Sequence, residues 1–325
     1  MTEIIVPQPK EDKNGNLEIF PTLGPQVCDF LEERFVYGPG PLRGKPYVVR
    51  DDFRYILYRA YEHYPEGYVI NYDGEEVDYS GRRHFNKVTV SLPKGSAKTE
   101  LMALVSCLEL HPDAPIRFNG YDADAPGGMA PGRSVVSPYI PLLAPTKDQL
   151  DDLAYGAAMT IIQDIEDADL FDVTRERIQV QGEAESRILP VAASAGRLDG
   201  LKPTFQCIDE SHRMFDDRHH KAVQTMENNL TKRMVDDPWQ LVTTTAGDPN
   251  EPSVAKAAYD FGMKIFKGKA KDPRTFFYHR QTSDENAKFD TMGNRIRALK
   301  EASGEEASKF RDLVSVAACL LYTSD

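Results

Sequence analysis

Along this chain two spacings of apolar residues take turns. One has period two. In residues 85–92 (FNKVTVSL) the alternation halts at Pro93 and predicts a strand. The other returns every three to four positions. In residues 99–110 it places Leu101, Met102, Leu104, Val105 and Leu108 on an apolar helix. The same reading predicts helices over 27–34 and 55–63, with Ile56, Leu57 and Ala60 on one side of the second. A Pro- and Gly-rich loop over 118–133 leads to a strand over 135–143 and a long amphipathic helix over 147–165 opened by Thr146. Residues 175–193 predict a hairpin turning at Gly182, and 204–208 a short buried strand. A helix over 219–234, a strand over 240–245 and a helix over 253–267 complete the pattern. Strands separated by helices predict an α/β fold with a mostly parallel sheet flanked by helices. No internal repeat is visible.

The ends break this pattern. The stretch to about residue 44, with Gly38-Pro39-Gly40-Pro41, reads as a loosely packed, irregular arm. Residues 274–311 read as a linker and a charged helical segment. The last residues, 319–325 (CLLYTSD), resemble the translation of a sequencing adapter, so the chain is expected to continue past about Ala318.

Composition narrows the classes. An apolar fraction of 41% supports a core. No run has the roughly 18 apolar residues of a membrane helix, and no secretory leader is visible. A net charge of −12 counts against a protein that coats DNA statically, since phosphate contacts favour basic proteins. It leaves room for a local basic patch. Four dispersed cysteines without a CxxC pair fit reduced thiols rather than zinc or disulfides.

Between the strand at 85–92 and the helix at 99–110 lies Leu92-Pro93-Lys94-Gly95-Ser96-Ala97-Lys98-Thr99-Glu100. Strand, turn of small residues, Lys-Thr and helix follow in the order a phosphate cradle needs. Backbone N–H groups at the helix start face the phosphates, and the helix dipole favours their charge. Lys94, Gly95, Ser96, Ala97, Lys98 and Thr99 are the candidate nucleotide-binding residues. Lys98 would reach the β- and γ-phosphates, and the Thr99 hydroxyl would hold Mg²⁺. Leu92 and Ala97 stand where the general GxxxxGK[ST] pattern has glycines, so on this segment alone an ordinary turn with an exposed lysine is an equal reading. Ala97 suits the loop only if its φ is negative.

The strand at 204–208 ends in Asp209-Glu210. Ligands sit at the C-terminal ends of parallel strands. Asp209 is therefore a candidate Mg²⁺ carboxylate and Glu210 a candidate for activating water. With a lysine they make the minimum set for phosphoryl transfer. A solvated Asp-Glu at a strand end is the plainer alternative. Residues 241–247 (LVTTTAG) end a strand in hydroxyls able to sense a γ-phosphate, although threonine's strand preference gives the same text.

In this order, the loop, the Asp-Glu strand and Thr244-Thr245-Ala246-Gly247 resemble the ATPase domain of phage terminase large subunits. The resemblance is nearest to the branch in tailed phages of actinobacteria, runs over about residues 38–267, and includes 205–212 and 228–233. It implies a RecA/ASCE-like P-loop NTPase fold, with an arm and helical lead-in over 1–65, the ATPase domain over 66–268, and a linker region over 269–325. Terminase loops often lack the first glycine and carry a basic residue four before the lysine. Lys94 holds that place, and with Glu210 it is the implied catalytic pair. Thr244, Thr245, Ala246 and Gly247 match the coupling motif. ATP and Mg²⁺ are the implied cofactors. Double-stranded DNA, a portal protein and a small terminase subunit are the implied partners, with a homo-oligomeric ring at the procapsid portal in the host cytoplasm and no membrane. Two pieces depart from the family. Residues 46–54 lack the upstream adenine-contacting Gln, and no nuclease carboxylate cluster can be placed, so no DNA cleavage is expected. A helicase-like translocase would need a second motor lobe. A structural or adaptor protein with a degenerate loop would bind no nucleotide.

Other polar residues carry less. His219 and His220 read as a solvated helix start, Lys232 and Arg233 as helix-end charges, and residues 194–200 as a surface loop in which Arg197 is a weak candidate finger. His212, two residues past Glu210, is a candidate for the surroundings of the phosphate site.

Overall fold

The computed structural model describes residues 2–8, 10–11, 17–18, 20–146, 154–193, 198–247, 250–309 and 312–319. Strand β1 (Glu3–Val6) opens the chain, followed by the short antiparallel pair β2 (Lys10–Glu11) and β3 (Leu17–Glu18). Helices α1 (Gly24–Arg34) and α2 (Asp51–Ala60) come next. Pro25 lies in the first turn of α1, where a missing N–H costs nothing. Asp51 and Asp52 open α2, opposing the positive end of its dipole. A hairpin, β4 (Val69–Tyr72) and β5 (Glu75–Asp78), turns through Asp73 and Gly74, both at positive φ.

The alternating part then runs β6 (Lys87–Ser91), α3 (Lys98–Leu110), β7 (Tyr139–Ala144), α4 (Ala154–Asp164), β8 (Phe171–Val173), β9 (Ile178–Val180) and β10 (Arg187–Ala192). It continues through β11 (Phe205–Ile208), α5 (Asp217–Asn229), β12 (Trp239–Thr244), α6 (Val254–Phe266) and β13 (Thr275–Arg280). Helices α7 (Met292–Lys309), broken at Gly304, and α8 (Leu313–Cys319) end it. No helix among the described residues is long and apolar enough to cross a membrane.

Among the described residues nine strands form one sheet in the order β1-β13-β6-β12-β11-β7-β10-β9-β8. The six from β13 to β10 are parallel, and antiparallel strands close both edges. This is the mostly parallel α/β sheet expected from the sequence. Strands β11 and β12 are buried at every position, as strands covered on both faces must be. Period two divides their side chains between two layers. Leu142, Cys207 and Leu241 join the core under α3, and their neighbours Leu143, Ile208 and Val242 pack with Ala222 and Met226 of α5. At the N-terminal end of the sheet, buried Glu109 accepts hydrogen bonds from Tyr61 Oη (2.8 Å), Trp239 Nε1 (3.0 Å) and Arg117 (3.1 Å), which locks α2, α3 and β12 together.

Two expectations need correction. The N-terminal region is not loosely packed: Leu23, Val27, Cys28 and Leu31 are in the main core, and β1 pairs with β13. A Cβ on Gly24 would lie 2.4 Å from Tyr58 Cα, so α1 and α2 meet backbone to backbone there. Residues 275–280, read as linker, form β13 directly beside β6. Their aromatic run (TFFYHR) is buried by neighbours distant in sequence, and no local period announces it. Arg197, the start of the helix expected over 147–165 and residues 320–325 lie outside the described residues.

Candidate functional site

Strands β6, β12 and β11 lie side by side and parallel, so the segments that follow them emerge at one end of the sheet. The loop 92–97, the expected phosphate cradle, leaves β6, Thr244 ends β12, and Asp209-Glu210 leaves β11. The loop is tied to the Thr strand at its first residue, where Leu92 N–H donates to Thr244 O (3.1 Å). Leu92 is buried, which explains a leucine where a glycine is general: its side chain belongs to the core.

Within the loop Gly95 has φ 79° and Ala97 φ 58°, ψ 29°. The expectation that Ala97 needs a negative φ is therefore wrong. The cradle takes the left-handed turn that a glycine would adopt freely, and Ala97 bears roughly 1–2 kcal/mol of strain to do so. Lys94 and Gly95 are exposed at the tip, Thr99 is half-buried in the first turn of α3, and Ser96 and Lys98 are buried. Lys98 Nζ donates to Pro93 O (3.1 Å), so the ammonium lies along the inside of the loop. The buried Ser96 hydroxyl has no hydrogen-bond partner among the described residues.

Asp209 is 1% exposed. Its Oδ1 accepts from Thr243 Oγ1 (2.6 Å) and from Glu210 N–H (2.9 Å), while Oδ2 has no partner among the described residues. Burial raises its pKa from 3.8 to about 6, against the Thr243 hydrogen bond and the nearby Lys98 ammonium. An ionised buried carboxylate oxygen without a partner is costly. A cation would satisfy it, so the free Asp209 oxygen fits the Mg²⁺ expected there. Glu210 has φ 52°, ψ 39°, an unusual region for a residue with a Cβ. Its Oε2 lies 3.4 Å from His212 Nε2 and 3.7 Å from Arg213 Nε. Thr244 is buried, Thr245 and Gly247 are half-buried and Ala246 is exposed.

Beside the loop a cavity of about 160 Å³ is walled by Tyr37, Leu42, Tyr47, Phe53, Ala97 and Glu100. Arg50 borders it, pairing with Asp52, lying 4.0 Å over the Phe53 ring and donating to Ser96 O (3.3 Å). Its wall is largely aromatic.

The structure thus brings together the loop, Asp209, Glu210 and the start of the Thr segment. Sequence reasoning missed two members. Thr243, not Thr244, grips Asp209, and only the register of β12 against β11 tells the adjacent threonines apart. Arg50 was invisible because no spacing links it to the loop 46 residues on.

A mostly parallel sheet flanked by helices, with a small-residue loop after one strand and paired carboxylates two strands away, has the fold of a P-loop NTPase. No protein-family model matches the chain, and no curated relative matches it. Among solved structures, the large terminase of bacteriophage HK97 is similar in fold, with a TM-score of 0.59 and 15% identity over 93% of this chain and 52% of that one. The chain spans about half the length of that protein. The large terminase ATPase domain of Thermus phage P74-26 aligns with a TM-score of 0.35 and 16% identity over 60% of this chain and 69% of that one.

Proposed function

We propose that this chain is the ATP-hydrolysing motor domain of a phage terminase large subunit, which drives double-stranded DNA into procapsids. The observation that carries the reading is the convergence of Lys98 with the Ser96 hydroxyl and the Asp209 oxygen, both without a partner among the described residues, beyond the ends of two parallel strands, β6 and β11, that flank β12. Phosphoryl transfer asks mainly for positioning and charge neutralisation. Lys98 leaves the Pro93 carbonyl for the β- and γ-phosphates. The loop N–H groups and the start of α3 bind the phosphate oxygens. Thr99 and Asp209 would hold Mg²⁺, which would supply charge neutralisation at the phosphates. Glu210 orients and deprotonates the attacking water, and exposed Lys94 reaches over the transferring group. The aromatic cavity encloses the base, in place of the Gln absent from 46–54. Segment 244–247 carries loss of the γ-phosphate to the DNA-gripping surface. A homo-oligomeric ring on the portal, with a small subunit choosing the DNA, completes the motor.

The test is titration of the purified chain with a fluorescent ATP analogue and Mg²⁺ beside Lys98→Ala. Losing a charge-assisted phosphate contact worth about 1.5–3 kcal/mol weakens binding by about tenfold or more. Saturable binding that Lys98→Ala weakens in this way supports the reading. A folded sample that binds no nucleotide defeats it.

A further inference from the structure

We propose that His212 is the positioning residue that ties the orientation of the Glu210 carboxylate to segment 244–247; the inference rests on the ATPase reading above. Both sides of the imidazole are engaged. Nε2 lies 3.4 Å from Glu210 Oε2, and Nδ1 lies 3.3 Å from Thr244 Oγ1. The backbone of the same residue adds a second link, its N–H donating to Thr244 Oγ1 at 3.1 Å. The far end of the segment lies nearby, since a Cβ added to Gly247 would meet His212 Cβ at 3.3 Å and Ser253 Oγ at 3.2 Å. His212 therefore touches the first residue of segment 244–247 and the Glu210 carboxylate, and lies beside the segment's last residue.

The neighbourhood stiffens this link. Ser211–Arg213 form one 3-10 turn, and Val254 N–H donates to Met214 O (2.8 Å), fastening the start of α6 to it. His220 Nε2 meets Pro252 O (2.9 Å), so a second residue from the acidic side holds the approach to α6. Burial, with smaller contributions from Arg213, Lys98 and Lys94, keeps the His212 pKa below the usual imidazole value, although Glu210 opposes it. In the neutral ring one nitrogen donates and the other accepts. With Nε2–H turned to Glu210, Nδ1 accepts from Thr244. The Thr244 hydroxyl has one proton, and Thr245 O at 2.9 Å competes for it. Moving the Glu210 carboxylate moves the ring, and the ring decides whether that proton goes to Nδ1 or to the Thr245 carbonyl. A change at the reacting end is thereby converted into a backbone preference at the coupling end. Such a device needs only a side chain with two discrete arrangements.

Hydrogen exchange on the full chain tests this without requiring turnover. Peptides covering 205–214 and 241–247 are followed with and without saturating Mg²⁺ and a slowly hydrolysed ATP analogue, ATPγS. In the unsubstituted chain the analogue slows exchange in both peptides by about fivefold or more, the lower range of site-to-site coupling. His212→Ala binds the analogue within about twofold of the unsubstituted affinity and keeps the response at 205–214, but loses it at 241–247. His212→Gln, whose amide both donates and accepts, restores part of that response. Thr244→Val breaks the same link from the other side while keeping the side-chain shape, and stands in should His212→Ala fail to fold. A response at 241–247 that survives these substitutions overturns the proposal, as does its absence in the unsubstituted chain with nucleotide bound. A chain that binds no nucleotide at all overturns the ATPase reading itself, a distinguishable failure.

Discussion

Asp209→Asn should stabilise the protein at neutral pH when divalent cations are removed. Asp209 is buried, its Oδ2 has no partner among the described residues, and burial lifts its pKa from 3.8 to about 6. A shift of about two units corresponds to about 3 kcal/mol of unfavourable free energy in the ionised folded state. The sign follows from linkage. Between about pH 4 and pH 6 the folded carboxyl holds a proton that the unfolded one has lost, so stability falls as pH rises through this window and the full cost is present above it. Asparagine abolishes the charge and keeps the Oδ1 acceptor used by Thr243 and Glu210. Its amide nitrogen takes the unpartnered position and costs about 1–2 kcal/mol of the gain. The net is about 1–2 kcal/mol, a rise in Tm of about 2–5 °C. Urea and thermal unfolding in a chelator between pH 5 and pH 8 measure it. The difference between variant and unsubstituted chain should grow up to about pH 6 and then level off. Mg²⁺ with nucleotide should reverse the order by stabilising only the unsubstituted chain. A variant less stable than the unsubstituted chain at pH 8, with a difference flat in pH, would refute the electrostatic account of this carboxylate.

Other substitutions test other parts. Ala97→Gly should raise stability by about 1 kcal/mol through release of left-handed strain, offset in part by the freer unfolded chain, read from the urea midpoint. Glu109→Ala leaves Arg117, Tyr61 and Trp239 with lost partners in the core and should cost about 3–5 kcal/mol in the same measurement. Thr243→Val removes the hydroxyl on Asp209 Oδ1 and should destabilise by about 1–3 kcal/mol above pH 6, less at pH 5, because the bond favours the ionised acid. Gly24→Ala should lower Tm by several degrees, since its Cβ would collide with the Tyr58 backbone at 2.4 Å.

What was legible in the sequence was local. Period two ended by Pro93 gave β6, and the apolar run before Asp209 gave β11, because both are short-range patterns that a buried strand imposes on its own residues. The parallel sheet followed from their alternation with helices. Pairing decided the rest. β1 is a strand because it has β13 to pair with, β13 because it lies between β1 and β6, and nothing in Thr275–Arg280 itself separates it from an aromatic-rich linker. Helix α1 looked like part of an arm because its apolar face is completed by α2 across Gly24. The choice between Thr243 and Thr244 was invisible for the same reason. A one-residue change of register exchanges the faces of the strand, giving one hydroxyl to Asp209 and the other to His212.

Two places where residue preference and backbone disagree lie at the same end of the sheet. Ala97 and Glu210 both occupy the left-handed region, where glycine or asparagine would be cheaper, and each adjoins a residue whose buried oxygen has no partner among the described residues, Ser96 and Asp209. Either strain alone could be the residue of an imperfect loop. Together they lie at the ends of strands separated only by β12, whose last residues contact both segments. A fold selected for stability alone would place glycine at 97 and leave 209 apolar. Keeping a strained alanine, a strained glutamate and a carboxylate of raised pKa in one place costs several kcal/mol, and such violations of local preference gather where a site needs them. The substitutions Ala97→Gly and Asp209→Asn are therefore expected to separate stability from nucleotide affinity, the first raising stability with binding kept and the second raising it with Mg²⁺-dependent binding lost.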